Sequence, residues 1–390
     1  MNDSGIKIEV HLIQNFAPSN LNRDDTGQPK SATFGGCRRA RISSQCIKRS
    51  TRQKWRENAF ASVGERTQRL KYALQPKLAA SGRTDEQIGK ALNTFLTQFY
   101  SKMDERDGEK TAVLVFVSQD EISKAKELID RHWDRLSEGK QLQKGDETSA
   151  KTMLDKARAS ADIALFGRML AEHPDRNTDG ACQVAHPIST HKVDMEMDFY
   201  TAVDDLNPKE ETGAGMMGVV GFNSACYYRY ALVDRDQLAR NLAGKTNRNK
   251  GEWTEKLEAK DYSDADKVIS AFLEAMVYAI PTGKKNSFAH QNLPSFGLFV
   301  VRKGGVPVSL ANAFCKPVRA AKPDDDLIGL SVSALTSYWD TLKKVYGDQG
   351  VHTVACFQVG QENCLNSLKE HDKGSVAEAI KTIMEAAKRQ

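Results

Sequence analysis

The longest regular alternation in the chain lies in residues 191–205, where apolar and polar side chains take turns at every second position. Met195, Met197 and Phe199 fall on one face of this segment, and acidic side chains fall on the other. A period of two is typical of a β-strand. A glycine-containing loop then leads to a second strand-like segment, 219–233, so the sequence predicts a β-hairpin. An apolar strand face of this kind is normally core, but the long loop also fits a hairpin that projects from the protein.

The segments on either side of this hairpin indicate a mixed fold. Residues 6–14 alternate in the same way and predict a half-buried strand. The pair of serines that opens residues 43–60 predicts a capped helix. Residues 60–160 have mostly helical patterns, whereas 162–170 resemble a short strand. Strands separated by helices, with the first strand at the N-terminus, predict the α+β class.

The positive charge of the chain is concentrated near one end. The chain carries 56 Lys and Arg against 51 Asp and Glu, yet no acidic residue lies between Asp25 and Glu57. Such local charge indicates a polyanionic partner, of which nucleic acid is the commonest. A solvated basic surface is the alternative, although surface helices usually mix both signs. The nine cations are Lys30, Arg38, Arg39, Arg41, Lys48, Arg49, Arg52, Lys54 and Arg56.

The predicted helix at 43–60 gathers part of this charge on one face. Its N-terminus adds backbone N–H groups and a partial positive charge directly after Arg38, Arg39 and Arg41. Donors and positive field therefore converge where a phosphate chain could lie. At 100° per residue the side chains on one face of the helix are Gln45, Lys48, Arg49, Arg52 and Arg56.

The loop before this helix holds the sequence "LNRDD", residues 21–25. Arg23 extends the basic surface. Asp24 and Asp25 have two interpretations, because a loop carboxylate can hold Mg²⁺ or orient a 2′-hydroxyl, or can cap the local backbone in a turn. The sequence alone favours turn chemistry.

Other functional classes lack their motifs. None of the seven cysteines forms a C-x-x-C pair, and His186 and His191 lack the H-E-x-x-H context. No phosphate-binding glycine motif and no nucleophile–base pair is visible. The N-terminus has no secretory pattern, and no apolar stretch approaches the length of a membrane helix. We therefore expect a reduced, cytoplasmic protein that is not an enzyme and has no metal, cofactor or membrane.

Several ordered segments together resemble one family, the CasC family, which is the backbone subunit of the Cascade effector in subtype I-E CRISPR systems. The resemblance extends from the first strand to about residue 345 and is strongest at 11–52 and 162–242. It is loose at 60–160 and in the C-terminal tail. The segments that carry it are "HLIQNFAPSNLNRDD", "FGGCRRARISSQCIKR", "DIALFGRM", "AHPISTHKVDMEMDFYTAVDDL", "YYRYALVDRDQLARNL" and "SLANAF".

The resemblance implies a hand-like fold, with an RRM-like (ferredoxin-like) palm, a helical fingers insertion and a β-hairpin thumb. The palm would comprise residues 1–60, 161–190 and 225–390. The fingers would be residues 60–160, and the thumb residues 191–224.

The resemblance also implies a non-catalytic role in antiviral defence. Copies would stack head to tail along a CRISPR RNA, bind its phosphate backbone and support pairing of the guide with target DNA, together with other Cascade subunits. Contacts to phosphates do not depend on the base sequence of the RNA, so they suit a protein that must accept any guide. Each copy needs only a few contacts, because stacked copies act multivalently. The thumb of one copy would insert against the RNA held by its neighbour.

The family's site residues fall on named positions of this chain. Met169 matches a residue that packs beside the bases. Phe199 and Tyr200 match an aromatic pair in the thumb, and Met217 matches an apolar residue at its tip, where it could wedge between bases. Lys140 and Lys144 face either DNA or solvent. The RNA-backbone contacts fall on Arg23, Lys30, Ser43, Gln45, Lys48, Arg49 and Arg52, beside Arg38, Arg39 and Arg41, with a basic loop at Lys284 and Lys285.

Two other functions compete with this interpretation. Related backbone subunits of type III effectors cut target RNA with a loop aspartate, so Asp24 or Asp25 would make the chain a guide-dependent endoribonuclease. The second competing function is a free-standing RNA-binding protein.

Overall fold

The computed structural model describes residues 5–59, 61–79, 82–202, 216–249 and 252–388. The strands are β1 (Ile6–Ser19), β2 (Ser31–Phe34), β3 (Cys37–Ala40), β4 (Glu65–Thr67), β5 (Val115–Val117), β6 (Cys182–Val184), β7 (Ile188–Ser189), β8 (Glu196–Ala202), β9 (Met216–Asp234), β10 (Arg248–Asn249), β11 (Glu252–Trp253), β12 (Phe296–Lys303) and β13 (Val351–Gln358). The α-helices are α1 (Ser44–Asn58), α2 (Leu70–Ala79), α3 (Asp85–Phe99), α4 (Gln119–Arg131), α5 (Trp133–Ser137), α6 (Lys144–Asp155), α7 (Ala161–Phe166), α8 (Arg235–Ala243), α9 (Ala259–Tyr278), α10 (Lys285–Phe288), α11 (Leu327–Tyr346) and α12 (Val376–Lys388).

The main sheet is built around the N-terminal strand. Its order is β13-β12-β1-β9-β6, and β7 and β8 also pair with β9. Strand β1 runs antiparallel to β12 from the Ile6–Lys303 pair to the Ile13–Phe296 pair, and β12 runs antiparallel to β13. The α+β class is therefore confirmed, with antiparallel pairing at the centre of the sheet.

Strand β1 is more deeply buried than its alternation indicates. Every residue from Ile6 to Gln14 is buried, the polar ones included. The polar side chains pair inside the protein: the Glu9 carboxylate accepts from Arg302 Nε at 2.9 Å. The strand prediction is right, but its half-buried character is wrong, because partners on neighbouring strands compensate the burial of the polar face.

Helix α11 covers part of this sheet. Its residues Val332, Leu335 and Trp339 join Leu298 and Val300 of β12 in one apolar cluster. Burial of each such side chain stabilises the fold by about 1.5–3 kcal/mol. The same cluster includes Ile13 of β1, so it holds β1 and β12 together.

The chain divides into two compact units. The first comprises Met1–Lys54, Val184–Leu232 and Phe272–Gln390, and the second comprises Trp55–Gln183 and Val233–Ala271. The first unit contains the β1–β12–β13 part of the sheet and most of β9.

The second unit is largely helical and has its own core. Leu74 of α2, Phe95 of α3, Leu128 of α4 and Leu154 of α6 belong to one buried apolar cluster. The helical region predicted for 60–160 falls wholly inside this unit. Its assignment as fingers stays a prediction.

The strand predicted at 162–170 is wrong. Residues Ala161–Phe166 form the short helix α7, and every residue of it up to Leu165 is buried. A segment buried on all sides shows neither helical nor strand periodicity, so its apolar run gave no sign of its conformation. The Asp162 carboxylate, which accepts from Gly64 N at 2.9 Å, is buried with it.

Candidate nucleic-acid interface

Helix α1 presents a cationic face and buries the opposite one. Ile47 is 2% exposed and Trp55 is fully buried. The Trp55 indole Nε1 donates to the carbonyl oxygen of Ala271 at 3.0 Å. Among the side chains predicted for the outer face, Gln45 and Arg49 are exposed, and Lys48 and Arg52 are partly exposed.

The start of α1 is fixed to the preceding loop. Ser43 Oγ accepts from Cys46 N at 3.2 Å, so Ser43 caps the helix as its residue type predicts. Its backbone N–H donates to Asn22 Oδ1 at 2.8 Å. The first turn of the helix contains no acidic residue. The Ser43 hydroxyl proton stays available for a phosphate oxygen, since a hydroxyl can donate while it accepts.

Strands β2 and β3 form a hairpin that separates two neighbouring arginines. Thr33 pairs with Arg38, and Ala32 pairs with Arg39. Because side chains alternate across a strand, these two arginines point to opposite faces. Arg38 is exposed, and its Nε donates to Ser31 Oγ at 3.2 Å. Arg38 therefore stays in the cationic surface.

The prediction that Arg39 binds RNA requires correction. Its side chain is fully buried, and its guanidinium donates to main-chain carbonyls from three parts of the first unit. The Nη1 group donates to Ser189 O at 3.0 Å, and Nη2 donates to Phe314 O at 2.7 Å. Nε donates to Phe34 O at 3.2 Å. Arg39 holds the hairpin in place, and its burial keeps the guanidinium away from a phosphate on the surface.

Arg41 lies beside His186, and nearby positive charges affect the pKa of this histidine. Its Nη1 group contacts His186 Nδ1 at 2.9 Å. The pKa of His186 is lowered by burial and then by the charges of Arg41 and Lys30. Lys30 is adjacent, because Arg41 N donates to its carbonyl oxygen at 2.9 Å. The structure thus brings Lys30 and Arg41 together.

The loop aspartate Asp24 is engaged in a turn. Its Oδ1 accepts from the Thr26 hydroxyl at 2.7 Å, from Thr26 N at 2.9 Å and from Gln28 N at 3.0 Å. The hydrogen bond from the Thr26 hydroxyl, followed by those from backbone N–H groups, lowers the pKa of Asp24. This is the Asx-type capping expected of turn chemistry. Asp25 is exposed, as is Arg23.

This loop packs against the base of the β8–β9 hairpin. Asn20 Nδ2 donates both to Gly27 O at 3.1 Å and to Gly221 O at 2.9 Å. The contact is close, since a Cβ at Gly221 would lie 1.6 Å from Gln28 Oε1. One buried amide therefore ties the loop that carries Arg23 to the hairpin.

The basic loop at 284–285 meets the same segment. A Cβ at Gly283 would lie 2.3 Å from Leu21 O, so only glycine allows this approach. Lys285 is exposed, and Lys284 is partly exposed. The structure therefore brings the basic loop next to the segment that leads into Arg23, as the predicted site requires.

The β8–β9 hairpin is exposed along its whole first strand. Phe199 pairs with Val219, and Thr201 pairs with Met217, so these side chains share a face. Phe199 is 62% exposed and Met217 is 66% exposed. The apolar alternation thus marks a projecting hairpin rather than a core strand. The predicted thumb includes residues 203–215, which lie outside the described residues.

Tyr200 lies on the other face of this hairpin. It pairs with Gly218, and a Cβ on that glycine would lie 2.4 Å from the tyrosine ring. Tyr200 is 40% exposed, so its ring covers the glycine and still reaches solvent. Phe199 and Tyr200 therefore lie on opposite faces of the hairpin.

Met169 is presented by an anchored loop of the second unit. Arg168 and Thr178 exchange two backbone hydrogen bonds of 2.9 Å, and Leu170 N donates to Asn177 Oδ1 at 2.7 Å. Met169, between these anchors, is 76% exposed. Such exposure of a large apolar side chain fits a contact with a flat partner.

Sequence reasoning missed one cationic segment. Lys316, Arg319 and Lys322 are exposed. They follow Cys315, whose carbonyl oxygen accepts from Arg39 at 3.4 Å and lies beside the β2–β3 turn. The signal was available in "KPVRAAK", residues 316–322, where three cations occur without an acid. Outside this region, Lys140 pairs with Glu138 at 2.7 Å, and Lys144 opens α6.

Three further properties bear on the class of protein. Among the described residues, no helix combines the length and apolar character that a membrane span requires. Within the same ranges, no three His, Cys, Asp or Glu side chains cluster in a way that could hold a metal ion. None of the seven cysteines, all of which are described, forms a disulfide.

Comparison with known proteins identifies the family. No curated protein matches the chain. A solved chain from "CRISPR RNA-guided surveillance complex, pre-nicking" is 27% identical, with a TM-score of 0.84 over 98% of this chain and 100% of that one. A chain from "CRISPR RNA-guided surveillance complex" is 22% identical and shares the fold, with a TM-score of 0.73 over 97% and 99% of the two chains. The family described as CT1975-like protein matches residues 8–385. The chain therefore belongs to the CT1975-like family, which confirms the CasC assignment made from its motifs.

Proposed function

We propose that the chain is a non-catalytic backbone subunit of a CRISPR Cascade surveillance complex, in which copies stack along a CRISPR RNA. Family membership and the 27% identical surveillance-complex chain support the Cascade role. The observation that carries the RNA-binding part is the cationic surface built by α1, the β2–β3 hairpin and the loop at 22–30, in which no acidic residue lies between Asp25 and Glu57.

The proposed RNA contacts are electrostatic and independent of base sequence. Cations of this kind release counterions from a phosphate backbone and position it without reading bases. The exposed side chains of Phe199, Tyr200, Met217 and Met169 would meet the bases instead. The proposed backbone contacts are Arg23, Lys30, Arg38, Arg41, Ser43, Gln45, Lys48, Arg49, Arg52, Lys284 and Lys285, extended by Lys316 and Arg319.

The finer architecture belongs to this proposal. An RRM-like palm is supported by the long strands of the first unit, with β1 inside the sheet. The β8–β9 hairpin is the proposed thumb, and the helices within 60–160 are the proposed fingers. A cytoplasmic location is supported by the cysteines, since disulfides are rare in reducing compartments.

The non-catalytic part rests on the chemistry of the loop aspartates. Asp24 Oδ1 already accepts three local hydrogen bonds, which hold the carboxylate in the turn. A carboxylate engaged in this way stabilises the loop rather than a reaction. This favours a structural role for Asp24 over the endoribonuclease alternative.

Affinity purification of the full-length chain from cells that express its CRISPR locus tests the proposal. The expected result is recovery of several copies with other subunits and one RNA of defined length. Recovery of a lone monomer with RNA of random length would instead support a free-standing RNA-binding protein.

A further inference from the structure

A buried arginine in the first unit has no counter-ion among the residues that the structure describes. Arg229 of β9 is 2% exposed. Its Nη1 group donates to the Gln14 side-chain oxygen, whereas its Nε and Nη2 groups find no hydrogen-bond partner among the described residues. No carboxylate within those residues forms an ion pair with it. The structure thus buries a cation whose charge is uncompensated.

This cation lies close to the first turn of helix α1. The thiol of Cys46, in the first turn of α1, is close enough to Arg229 to feel its charge. Burial raises the pKa of Cys46 to about 11, and the charges of Arg49, Arg229 and Lys30 oppose that rise. The charges of three cations therefore reach one thiol: Arg49 and Lys30 belong to the cationic surface, and Arg229 is buried.

An uncompensated buried charge is costly. Transfer of a guanidinium from water to the protein interior is unfavourable without a partner, and the pKa of Arg229 is lowered by burial to about 10. A fold that needed only to be stable would have an apolar side chain or an ion pair at this position.

We infer that Arg229 is a further determinant of polyanion binding, which acts on the RNA backbone through α1 rather than by contact. A phosphate chain on the outer face of α1 supplies a negative charge that no described residue gives to Arg229. The low dielectric around Arg229 leaves its field little screened. The cost of the buried cation in the free chain is thereby recovered when RNA binds.

This inference rests on the proposed function, and it predicts opposite effects on two measurements. The variant R229Q removes the charge but keeps an amide that can donate to Gln14. At an effective dielectric constant near 20, one charge about 10 Å from a phosphate changes a binding constant on the order of tenfold. We expect R229Q to bind single-stranded RNA about five- to tenfold more weakly, with an unfolding midpoint no lower than that of the wild type.

The matched control is R302Q. Arg302 of β12 is also 2% exposed but pairs with Glu9 at 2.9 Å, so its removal leaves a buried carboxylate unpaired. R302Q should lower the unfolding midpoint by about 5 °C or more and leave RNA affinity within about twofold. If the R229Q variant does not fold, a second neutral variant, R229M, takes its place.

Thermal unfolding of the free chain and fluorescence anisotropy with two unrelated RNA oligonucleotides separate the outcomes. Unchanged RNA affinity in R229Q overturns the inference, as does weaker binding accompanied by a midpoint as low as that of R302Q. Failure of the wild-type chain and of the assembled complex to bind either oligonucleotide would overturn the proposed function itself. The midpoints are measured without RNA and remain informative in that case.

Discussion

The side-chain amide of Asn20 donates to the carbonyl oxygen of Gly221 across 2.9 Å and joins the loop that carries Arg23 to the base of the β8–β9 hairpin. The same amide group donates to Gly27 O at 3.1 Å. One buried side chain thus sets the position of a proposed phosphate contact relative to the proposed thumb.

Substitution N20A should loosen this junction. The two carbonyl oxygens lose their donor in a buried place, so the free energy of unfolding should fall by about 1–3 kcal/mol. Backbone amides of the loop at 22–30 should exchange hydrogen faster. The control N20D keeps the shape without the donors, and it should behave like N20A. If the backbone amides at 22–30 stay fully protected from hydrogen exchange in both variants, the side-chain amide of Asn20 is dispensable.

The neighbouring arginines of β3 should separate stability from binding. R39A leaves several buried carbonyl oxygens without a donor, so we expect a loss of about 3 kcal/mol of unfolding free energy. R38A removes an exposed side chain and should change stability by less than about 0.5 kcal/mol while weakening RNA binding. Denaturant unfolding measures the stability of each variant, and RNA titration measures its affinity for RNA. The assignment fails if R38A proves the more destabilising variant.

The double variant K48A/R52A should weaken RNA binding for every guide alike. Loss of two phosphate contacts also reduces the slope of log affinity against log salt by about two. A control with equal loss of charge is K90A/K381A, on α3 and α12, where each lysine pairs with a glutamate of its own helix. Loss of affinity confined to particular guide sequences would contradict a sequence-independent surface.

The double variant F199A/M217A should alter the guide–target duplex more than it alters RNA retention. Both side chains are largely exposed, so the stability of the chain should change by less than about 1 kcal/mol. Chemical probing of the assembled complex would detect the change as altered accessibility of regularly spaced guide nucleotides. An unchanged probing pattern would exclude a wedge.

Cleavage of RNA tests the loop aspartates. The assembled complex is incubated with guide-complementary RNA and Mg²⁺, and we expect no periodic cuts, because Asp24 is committed to its turn. D24A should loosen the loop, and the complex that contains it should likewise make no periodic cuts. Periodic cuts that disappear in D24A or D25A would instead identify an endoribonuclease.

The cationic helix and the hairpin were predictable because their signals are local. A helix face is set by spacing along Gln45, Arg49 and Arg52, and a strand face is set by alternation through Phe199. Capping by Ser43 follows from residue type and position. These features depend on neighbours within a few residues, so the printed sequence contains them.

Features that depend on distant partners were not predictable. Arg39 and Arg38 look alike in sequence, and only the carbonyl oxygens at Ser189 and Phe314 explain why one is buried. The burial of α7 on all sides erased its periodicity. Likewise, the junction at Asn20 depends on Gly221, which is 201 residues away in the sequence.

The exposed β8–β9 ribbon has a consequence for the cell that makes this protein. A two-stranded ribbon with Met197, Phe199 and Val219 open to water is an adhesive surface as well as a recognition element. Chains synthesised in excess of their guide would tend to stick to one another. In the proposed complex the guide RNA would cover this surface, so balanced production of protein and RNA would protect solubility.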